Sequence, residues 1–533
     1  MRDANVLTEM PTPYDCERPT AYADRLGQWY ATLVSAEHKK RWGQYLTPVP
    51  VADFMASLCQ PEGEILRILD PGAGAGVLTC ALCEHLASQR RKPCQLMITA
   101  YEVDKDLCQV LEKGLSYLQL RLGPQGISVE FTISMTDFII QHADGLDDSL
   151  SLFPAPSDER FYDVVICNPP YFKLPKSDAR ALAAAAVVHG QPNIYALFMA
   201  VSVHLLSPAG EFVFITPRSF TSGPYFRLFR EKFFAKMRPE TIHVFTSRRE
   251  AFRRDQILQE NIILKARRMH NWGGKATHIL VSSSTGTNDF SAATPRRVSL
   301  SSVLDLGTTD KVLRIPATEE EEALAGLIDT WPGSLRAYGL EISTGPVVPF
   351  RAVSLLSDTG DVPYTHAPLL WMHNVRPMDV VWPVLANRKE QYIRLKDEAK
   401  PLLVPNRNYV LVRRFSAKEE RRRLTAAPFL AESLGSHFVG LENHLNYVHR
   451  PHGTLTDDEA WGLAILYNSP QLDTYYRVLN GNTQVSATEL RALPLPPLEV
   501  ITDIGRRAKA LSSPLEHIGS LVAPTFHAQA DSS

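Results

Sequence analysis

Short apolar runs alternate with segments of helical periodicity through the first half of the 533-residue chain. Apolar runs bounded by turn residues predict buried strands, and apolar positions every three to four residues predict helices. The predicted strands are 65–69, 95–101, 127–133, 162–167, 211–216, 241–245 and 257–265. The predicted helices are 77–87, 105–120, 193–206 and 225–237. This alternation predicts an α/β fold with a doubly wound, mostly parallel sheet, which binds ligands at the carboxyl ends of its strands.

The alternation is lost near residue 271, where Ser, Thr, Gly and Asn become frequent. Such a composition is typical of a connecting segment. We therefore predict an N-terminal helical extension over 1–40, an α/β domain over 41–270, a linker over 271–305 and a separate domain over 306–533. Within that last domain, Ser486 and Glu489 have the spacing of a capping box, which predicts the start of a short helix.

The bulk composition is that of an ordinary globular protein, with 44% hydrophobic residues, 21% charged residues and a net charge of −2. No apolar run approaches the roughly 18 residues of a membrane span, and the N-terminus lacks the pattern of a secretion signal, so we expect a cytoplasmic protein with no membrane partner. Seven scattered cysteines predict free thiols. The close pair Cys80 and Cys83 has no second pair to complete a zinc site, so we expect no metal.

Two segments, 218–268 and 388–423, are rich in Arg and Lys despite the nearly neutral average. The second contains Arg413, Arg414 and the arginine triplet 421–423. Two interpretations of the triplet remain open. It could form a solvated helix face that neighbouring glutamates balance, or it could contact phosphate.

A glycine-rich turn follows the first predicted strand. Asp70 ends that strand, and Gly72, Gly74 and Gly76 allow the backbone to approach a bound molecule closely. Turns of this type bind NAD, FAD or S-adenosylmethionine, and some only pack a helix on a sheet. A carboxylate before the glycines would repel a pyrophosphate, so the turn favours S-adenosylmethionine, which carries positive charge and no phosphate.

Acidic residues also follow the second and third strands. Glu102 could accept hydrogen bonds from ribose hydroxyls, and Asp104 has the position of a helix N-cap. Asp137 could accept a hydrogen bond from an adenine amine, and Phe138 could cover the adenine face. The alternative for this last pair is a turn followed by a core aromatic.

The fourth strand ends in a rigid corner, VVICNPPYF at 164–172. The side-chain oxygen of Asn168 and the carbonyl oxygen of Pro169 could accept hydrogen bonds from an exocyclic amine, and Pro169 and Pro170 restrict the backbone. Two such acceptors would stabilise the positive charge that develops on a poorly nucleophilic nitrogen during methyl transfer. Tyr171 offers a ring for stacking on a base that has been flipped out of a duplex. The alternative is a plain turn.

In this order, the motifs resemble those of the DNA adenine-N6 methyltransferases of restriction–modification systems, specifically the gamma-class (TaqI-type) arrangement. The sequence GQYLTP at 43–48 is similar to the first motif of that family, which implies that Thr47 and Pro48 line the methionine end of the cofactor. The resemblance also implies that Phe252 stacks on the flipped adenine opposite Tyr171, although Phe245 lies close in sequence.

Further roles follow from the same resemblance. Asp137 would hold the adenine of the cofactor, with Phe138 packed on it. Phe198 would touch the cofactor or pack in the core. An asparagine at the position of Asn168 is typical of N6-adenine enzymes rather than N4-cytosine enzymes.

The resemblance covers most of the chain and implies an overall organisation. A Rossmann-like methyltransferase sheet over 41–270 would be followed by a C-terminal α+β target-recognition domain over 306–533. The protein would be a sequence-specific modification methylase that binds double-stranded DNA and protects it from a cognate restriction endonuclease on a separate polypeptide. One departure from the family is the alanine-rich segment 173–188, which could be a substrate loop or a surface helix.

Other functions remain open at this point. The same corner occurs in methyltransferases of RNA bases and of protein glutamine, although a long C-terminal domain is better explained as a reader of duplex DNA. A binding module that holds the cofactor without catalysis is a further alternative. Glu37 and Lys39 have the acid-x-lysine spacing of many nucleases, but they lie in a helix-like stretch rather than a strand.

Overall fold

The computed structural model describes residues 10–43, 46–146, 161–188, 192–247, 260–270, 272–273, 277–384, 389–416, 420–480 and 484–527. The chain divides into two compact units, Met1–Ala317 and Thr318–Ser533. Within the described ranges, no helix is both long enough and apolar enough to cross a bilayer.

Nine strands form the sheet at the centre of the first unit. They are β1 (Ile65–Asp70), β2 (Gln95–Tyr101), β3 (Ser128–Ser134), β4 (Tyr162–Cys167), β5 (Leu206–Pro217), β6 (Met237–Phe245), β7 (Asn261–Arg268), β8 (His278–Ser284) and β9 (Arg296–Ser299). The strand order is β3-β2-β1-β4-β5-β7-β6-β8-β9. β1 to β5 run parallel to one another, and β7 lies antiparallel between β5 and β6. The predicted α/β fold with a mostly parallel sheet is confirmed.

Helices cover both faces of this sheet. They are α1 (Pro19–Leu33), α2 (Ala36–Trp42), α3 (Val49–Ser57), α4 (Val77–Ala87), α5 (Lys105–Leu122), α6 (Phe138–His142), α7 (Ala179–Ala183), α8 (Ile194–Leu205), α9 (Arg227–Lys236) and α10 (Leu300–Val303). Apolar residues of α1, α3, α4 and α5 form one buried core against the sheet, and those of α6, α8 and α9 form another. The two cores make the sheet doubly wound.

The domain boundaries in the structure differ from the predicted ones. The predicted linker over 271–305 contains β8 and β9, which extend the sheet beyond β6. Trp272, also in this segment, is 2% exposed, and its indole N–H donates to the carbonyl oxygen of Phe234 at 2.9 Å. The polar composition arises because the outer strands are exposed on alternate residues. The predicted N-terminal extension is helical where described, and its Tyr22 and Leu26 are buried in the core of the first unit.

The second unit contains three small sheets. Their strands are β10 (Glu341–Thr344), β11 (Leu356–Ser357), β12 (His366–Leu370), β13 (Val375–Arg376), β14 (Asp379–Val380), β15 (Tyr392–Arg394), β16 (Leu403–Pro405), β17 (Tyr409–Arg413), β18 (Ala426–Phe429), β19 (Phe438–Leu441) and β20 (Leu445–His449). The sheets have the orders β10-β20-β17-β18, β11-β15-β12-β19-β16 and β13-β14.

One helix precedes these strands and most of the others follow them. The helices are α11 (Glu319–Asp329), α12 (Asp457–Asn468), α13 (Pro470–Leu479), α14 (Ala487–Arg491), α15 (Leu498–Lys509), α16 (Ile518–Val522) and α17 (Pro524–His527). This segregation is that of an α+β fold. The predicted capping box is confirmed, because the Ser486 hydroxyl accepts from the Glu489 N–H at the start of α14.

The arginine triplet 421–423 does not form a helix face. Arg421 is exposed, whereas Arg423 is 1% exposed and its Nε donates to the Ser416 hydroxyl at 3.0 Å. The interpretation of the triplet as a solvated helix face is therefore wrong.

Candidate active site

The carboxyl ends of β1, β2 and β4 border a cleft of about 780 Å³ including its open mouth. This volume lies within the roughly 300–1,000 Å³ of small-molecule pockets. The cleft brings together seven of the predicted site residues, which come from four separate motifs: Gly72, Gly74, Glu102, Asp137, Phe138, Asn168 and Pro170.

Other predicted residues do not line this cleft. Those that lie next to it in the sequence without lining it are Thr47, Pro48, Asp70, Gly76, Pro169 and Tyr171. Phe252 lies outside the described residues. Phe245, the alternative to Phe252, is 1% exposed and has no open face for a base.

The glycine turn between β1 and α4 depends on left-handed backbone conformations. Gly74 has a φ of +55° and Gly76 a φ of +84°. A Cβ atom on Gly76 would lie 2.7 Å from Cδ1 of Leu111 on α5, which is closer than real contacts allow. Glycine at 76 therefore satisfies both a backbone and a packing requirement, and α4 can begin directly behind the cleft.

Asp70 lies under this turn and is fully buried. Its Oδ2 accepts a hydrogen bond from the Thr79 hydroxyl at 2.7 Å, while Oδ1 has no hydrogen-bond partner of normal geometry. Burial raises the pKa of Asp70 to about 7, although the Thr79 hydroxyl and the Gly72 amide act in the opposite direction. A buried carboxylate in this state is stabilised by any cation that binds nearby.

Glu102, at the end of β2, connects the glycine turn to α5. Its Oε2 accepts from the Gly74 N–H at 3.1 Å and its Oε1 from the Asp104 N–H at 2.9 Å. Burial raises the pKa of Glu102 to about 7. Asp104 caps α5 by accepting from the N–H groups of Asp106 and Leu107, as predicted.

Asp137 and Phe138 combine structural positions with a place in the cleft wall. Asp137 caps α6, and its Oδ1 accepts from the N–H groups of Ile139 and Ile140 at 3.0 and 3.1 Å. The other oxygen, Oδ2, lies 3.9 Å from a guanidinium nitrogen of Arg180. Phe138 is 2% exposed. The sequence alternative of a turn and a core aromatic is therefore correct as a description of packing, and both residues still line the cleft.

Phe198 also serves two purposes. Its ring centroid lies 5.4 Å from that of Phe138, and the side chain is 9% exposed. It packs in the core and lines the cleft at the same time.

The corner after β4 fixes the orientation of the Asn168 carboxamide. Its Nδ2 donates to the hydroxyl oxygen of Thr47 at 3.0 Å, and its Oδ1 accepts from the Tyr171 hydroxyl at 2.5 Å. Thr47 precedes β1 in the chain, so the first motif holds the fourth one in place. The acceptor oxygen and the donor nitrogen of Asn168 are thereby distinguished by their surroundings.

Tyr171 is placed differently from the prediction. The residue is 8% exposed, and its hydroxyl is near both Asn168 and the carbonyl oxygen of Ile215, which lies 2.9 Å away. Its ring meets that of Tyr195 edge-on, with the centroids 6.3 Å apart. In this structure the ring is thus covered and does not present an open stacking face. The following residue, Phe172, is only half-buried and lines the cleft.

Arg180 was missed by the sequence analysis, and it comes from the alanine-rich segment 173–188. Its Nε and one terminal nitrogen donate to the Asp178 carboxylate at 2.8 and 2.7 Å, and its guanidinium carbon lies 5.7 Å from the ring centre of Phe172. The segment therefore contributes α7 and a cation to the cleft wall. The only sequence signal for this was an isolated Asp–x–Arg at the start of an alanine run.

The nuclease interpretation of Glu37 and Lys39 lacks the strand it requires, because both residues lie in α2. Within the part of the chain that the structure describes, no group of three or more His, Cys, Asp and Glu side chains could hold a metal ion.

Comparison with known proteins identifies the family. Residues 125–252 match the family model described as Eco57I restriction-modification methylase. The chain is 33% identical to the type II methyltransferase M.PstI of Providencia stuartii over 472 residues, which is 88% of this chain and 90% of that protein. It is 34% identical to the type II methyltransferase M.BsuBI of Bacillus subtilis, with the same coverage of both chains. The chain belongs to the type II methyltransferases.

A solved structure supports the fold of this type II methyltransferase. The type IIL restriction-modification enzyme MmeI, determined in complex with DNA, superposes with a TM-score of 0.53 at 10% identity and covers 95% of this chain and 73% of that one. The predicted relationship to restriction–modification methyltransferases is confirmed by the sequence relatives, and the gamma-class arrangement stays a prediction.

S-adenosylmethionine is the cofactor of the type II methyltransferase, and the cleft residues fit it. Glu102 and Asp137 provide carboxylates at the cleft wall, and Asp70 provides a buried carboxylate oxygen without a hydrogen bond. Such a set suits a ligand with an ammonium and a sulfonium rather than a pyrophosphate. The individual contacts of these residues with the cofactor stay predictions.

Proposed function

We propose that this type II methyltransferase methylates the N6 amine of adenine in double-stranded DNA, with the adenine flipped out of the helix. As the modification enzyme of a restriction–modification system, it acts on DNA. The choice of adenine, of N6 and of base flipping rests on the corner after β4. One observation carries the proposal: Nδ2 of Asn168 is held by Thr47, which orients Oδ1 as a hydrogen-bond acceptor.

The acceptors of the corner suit an exocyclic amine. Bound S-adenosylmethionine supplies an electrophilic methyl group on a positively charged sulfur. Oδ1 of Asn168 and the carbonyl oxygen of Pro169 would accept the two amine hydrogens and stabilise the positive charge that grows on nitrogen. The nitrogen gains the methyl group and releases one proton to solvent. A carboxamide oxygen has two lone pairs, so the bond from Tyr171 does not by itself prevent this contact.

Reaching this corner requires the base to leave the duplex. The acceptors lie at the end of a strand inside a cleft that is lined on the same side by Pro170 and Phe172. A base stacked in a helix cannot approach them, which supports flipping. Stacking by Phe252 stays part of the proposal, and the half-buried Phe172 is the described aromatic with an open position beside Asn168.

Adenine is favoured over two other amine substrates. The corner alone would also suit an RNA base or a protein glutamine, because each presents an amine with its lone pair delocalised. The family and the α+β second unit favour duplex DNA, for which that unit would be the reader of sequence. A cognate restriction endonuclease on a separate polypeptide completes the proposed system.

Radiolabelled methyl transfer tests the proposal. The purified chain is incubated with tritiated S-adenosylmethionine and with separate pools of duplex DNA, RNA and protein, and the labelled pool is digested to its monomers. We expect label in N6-methyladenine from DNA. Label in RNA or protein would remove the DNA assignment, and label in N4-methylcytosine would remove adenine.

The Asn168→Ala variant tests the corner in the same assay. It removes the acceptor that we assign to transition-state stabilisation, for which a loss of roughly 100- to 1,000-fold in kcat is typical. Cofactor affinity, measured by calorimetry, should stay close to that of the wild type. A variant that keeps near-normal turnover would contradict the role of the amide.

A further inference from the structure

A group of cations lies close together on the second unit, around the ends of β13 and β17. We call it the basic face and define it by His373, Arg376, Lys389, Arg413 and Arg414. Arg376 and Lys389 are exposed, and the other three are half-buried. The sequence analysis singled out Arg413 and Arg414 only as part of a basic segment.

Hydrogen bonds and ring contacts hold this group together. Nε of Arg413 donates to the carbonyl oxygen of Val375 at 2.7 Å, which places its guanidinium beside Arg376. The Lys389 ammonium lies 4.2 Å from the ring centre of Trp371. That indole in turn is nearly parallel to the ring of His373, at 6.4 Å between centroids. Burial and the nearby Lys389 and Arg413 lower the pKa of His373, which is consistent with a concentration of positive charge.

The basic face continues toward the turn between β19 and β20. Arg414 donates from NH1 to the carbonyl oxygen of Asn443 at 2.8 Å. The exposed ring of Phe415 meets the exposed ring of His444 edge-on, with centroids 4.9 Å apart. An aromatic pair therefore lies next to the cations on the same strand-end surface.

The charges of the basic face are not neutralised by ion pairs. Glu442 lies near Lys389, but it is 1% exposed and pairs with Nδ1 of His444 at 2.5 Å. Among the residues that the structure describes, no carboxylate lies within ion-pair distance of Arg376, Lys389, Arg413 or Arg414.

The other exposed cationic cluster of this unit is different. On α15, Arg506 lies 3.1 Å and Arg507 3.7 Å from Asp503, and Lys509 lies 2.5 Å from Asp458. Each of these cations has a carboxylate of its own. The contrast indicates that unneutralised charge at the basic face serves an anionic partner rather than the fold.

We propose that the basic face binds the sugar–phosphate backbone of the DNA duplex. This inference rests on the proposed function for its partner, and it goes further by assigning the contact to named residues of the second unit. Arg376 and Lys389 contact phosphates and displace condensed counterions. Arg413, held through Nε, keeps four N–H donors on a guanidinium whose position is fixed, which suits bidentate contact with phosphate oxygens.

The salt dependence of DNA binding tests this inference. The full-length chain is titrated with a fluorescent unmethylated duplex at several salt concentrations in the presence of S-adenosylhomocysteine. For Arg376→Ala and Lys389→Ala, we expect weaker binding and a slope of log K against log salt that is smaller by about 0.9 for each phosphate contact removed. The matched control is Arg506→Ala on α15, for which we expect an unchanged slope.

Two measurements separate this effect from misfolding. Cofactor affinity and thermal unfolding should be the same in all three variants, because the substituted side chains make no backbone hydrogen bond in the structure. An unchanged slope in the Arg376→Ala, Lys389→Ala double variant would overturn the inference, as would an equal decrease in Arg506→Ala. In either case methylation of DNA by the wild type would leave the proposed function intact, whereas its absence would refute that function itself.

Discussion

The hydroxyl of Tyr171 donates a hydrogen bond of 2.5 Å to the side-chain oxygen of Asn168. The same hydroxyl lies 2.9 Å from the carbonyl oxygen of Ile215 on the neighbouring strand β5. The tyrosine therefore links the catalytic corner to the sheet through its polar end while its ring is buried. This geometry assigns Tyr171 a positioning role in the structure as it stands, whereas the sequence predicted a stacking role.

Tyr171→Phe distinguishes these two roles. The substitution keeps the ring and removes the hydroxyl, so stacking would be unaffected, but the amide oxygen would lose the bond that orients it. We expect kcat to fall about 10-fold, which corresponds to roughly 1.4 kcal/mol, with little change in cofactor affinity. Steady-state kinetics and calorimetry measure both quantities.

Tyr195→Phe is the matched control for this variant. Tyr195 is also fully buried, and its hydroxyl is 2.7 Å from that of Ser219, away from Asn168. Both variants should lose a similar amount of stability, and only Tyr171→Phe should lose turnover. Equal kinetics for the two variants would contradict the positioning role.

Asp70 predicts a pH dependence of cofactor binding. Because burial raises its pKa to about 7, the protein without ligand holds this proton at pH 6 and has lost most of it at pH 8. A cationic cofactor favours the ionised carboxylate, so affinity should rise with pH across this window. Asp70→Asn should weaken the rise without abolishing it, since Glu102 also has a pKa of about 7. Calorimetric titrations between pH 6 and 8 measure this, and a flat wild-type profile would refute it.

The same shift has a consequence for stability with the opposite sign. The folded protein binds the Asp70 proton more tightly than the unfolded chain does, because the folded pKa is the higher of the two. The contribution of this group to the free energy of unfolding is therefore greatest at low pH and declines between about pH 4 and pH 7.

Arg180→Ala tests the contribution of α7 to the cleft. The guanidinium lies beside Asp137 and over Phe172, so its loss exposes one side of the cleft and removes a charge near the Asp137 carboxylate. We expect S-adenosylhomocysteine to bind about fivefold more weakly, or roughly 1 kcal/mol, by calorimetry. Lys176→Ala, an exposed cation of the same segment, should leave affinity unchanged. Equal affinities for the two variants would show that Arg180 does not shape the site.

Two glycines with nearly identical backbones separate strain from crowding. Gly76 and Gly126 have φ angles of +84° and +81°, but a Cβ would meet Leu111 at 2.7 Å in the first and nothing within 4 Å in the second. Gly126→Ala should cost about 1 kcal/mol in free energy of unfolding, because the left-handed conformation alone is unfavourable for alanine. Gly76→Ala should cost a further 1–3 kcal/mol from overpacking, approximately. Urea denaturation measures the difference, and equal costs would show that Leu111 moves freely.

The sequence predicted the parts of the fold that depend on local pattern. β2 and β4 have the predicted bounds, and the cleft collects residues from every motif that follows a strand. This works because apolar runs and glycine turns report on neighbouring residues only. The predicted linker failed because its two strands lie at the edge of the sheet, where polar residues are compatible with pairing.

The direction of a single side chain could not be obtained in the same way. Tyr171 follows two prolines and could point toward the cleft or toward the core, and the choice depends on the carbonyl oxygen of Ile215, 44 residues later. Arg180 reaches the cleft only because α7 packs near α6, which no local pattern indicates. The basic face depends on contacts among three separate strands and loops of the second unit.

The bond between Thr47 and Asn168 has a consequence for how the chain can be shortened. Thr47 precedes the first strand of the sheet by 18 residues, yet it holds the group at the end of the fourth. A fragment beginning at Ile65 would retain every strand while leaving the carboxamide able to rotate. The minimal active polypeptide must therefore start upstream of the sheet, and truncation from that side would remove competence before it removes architecture.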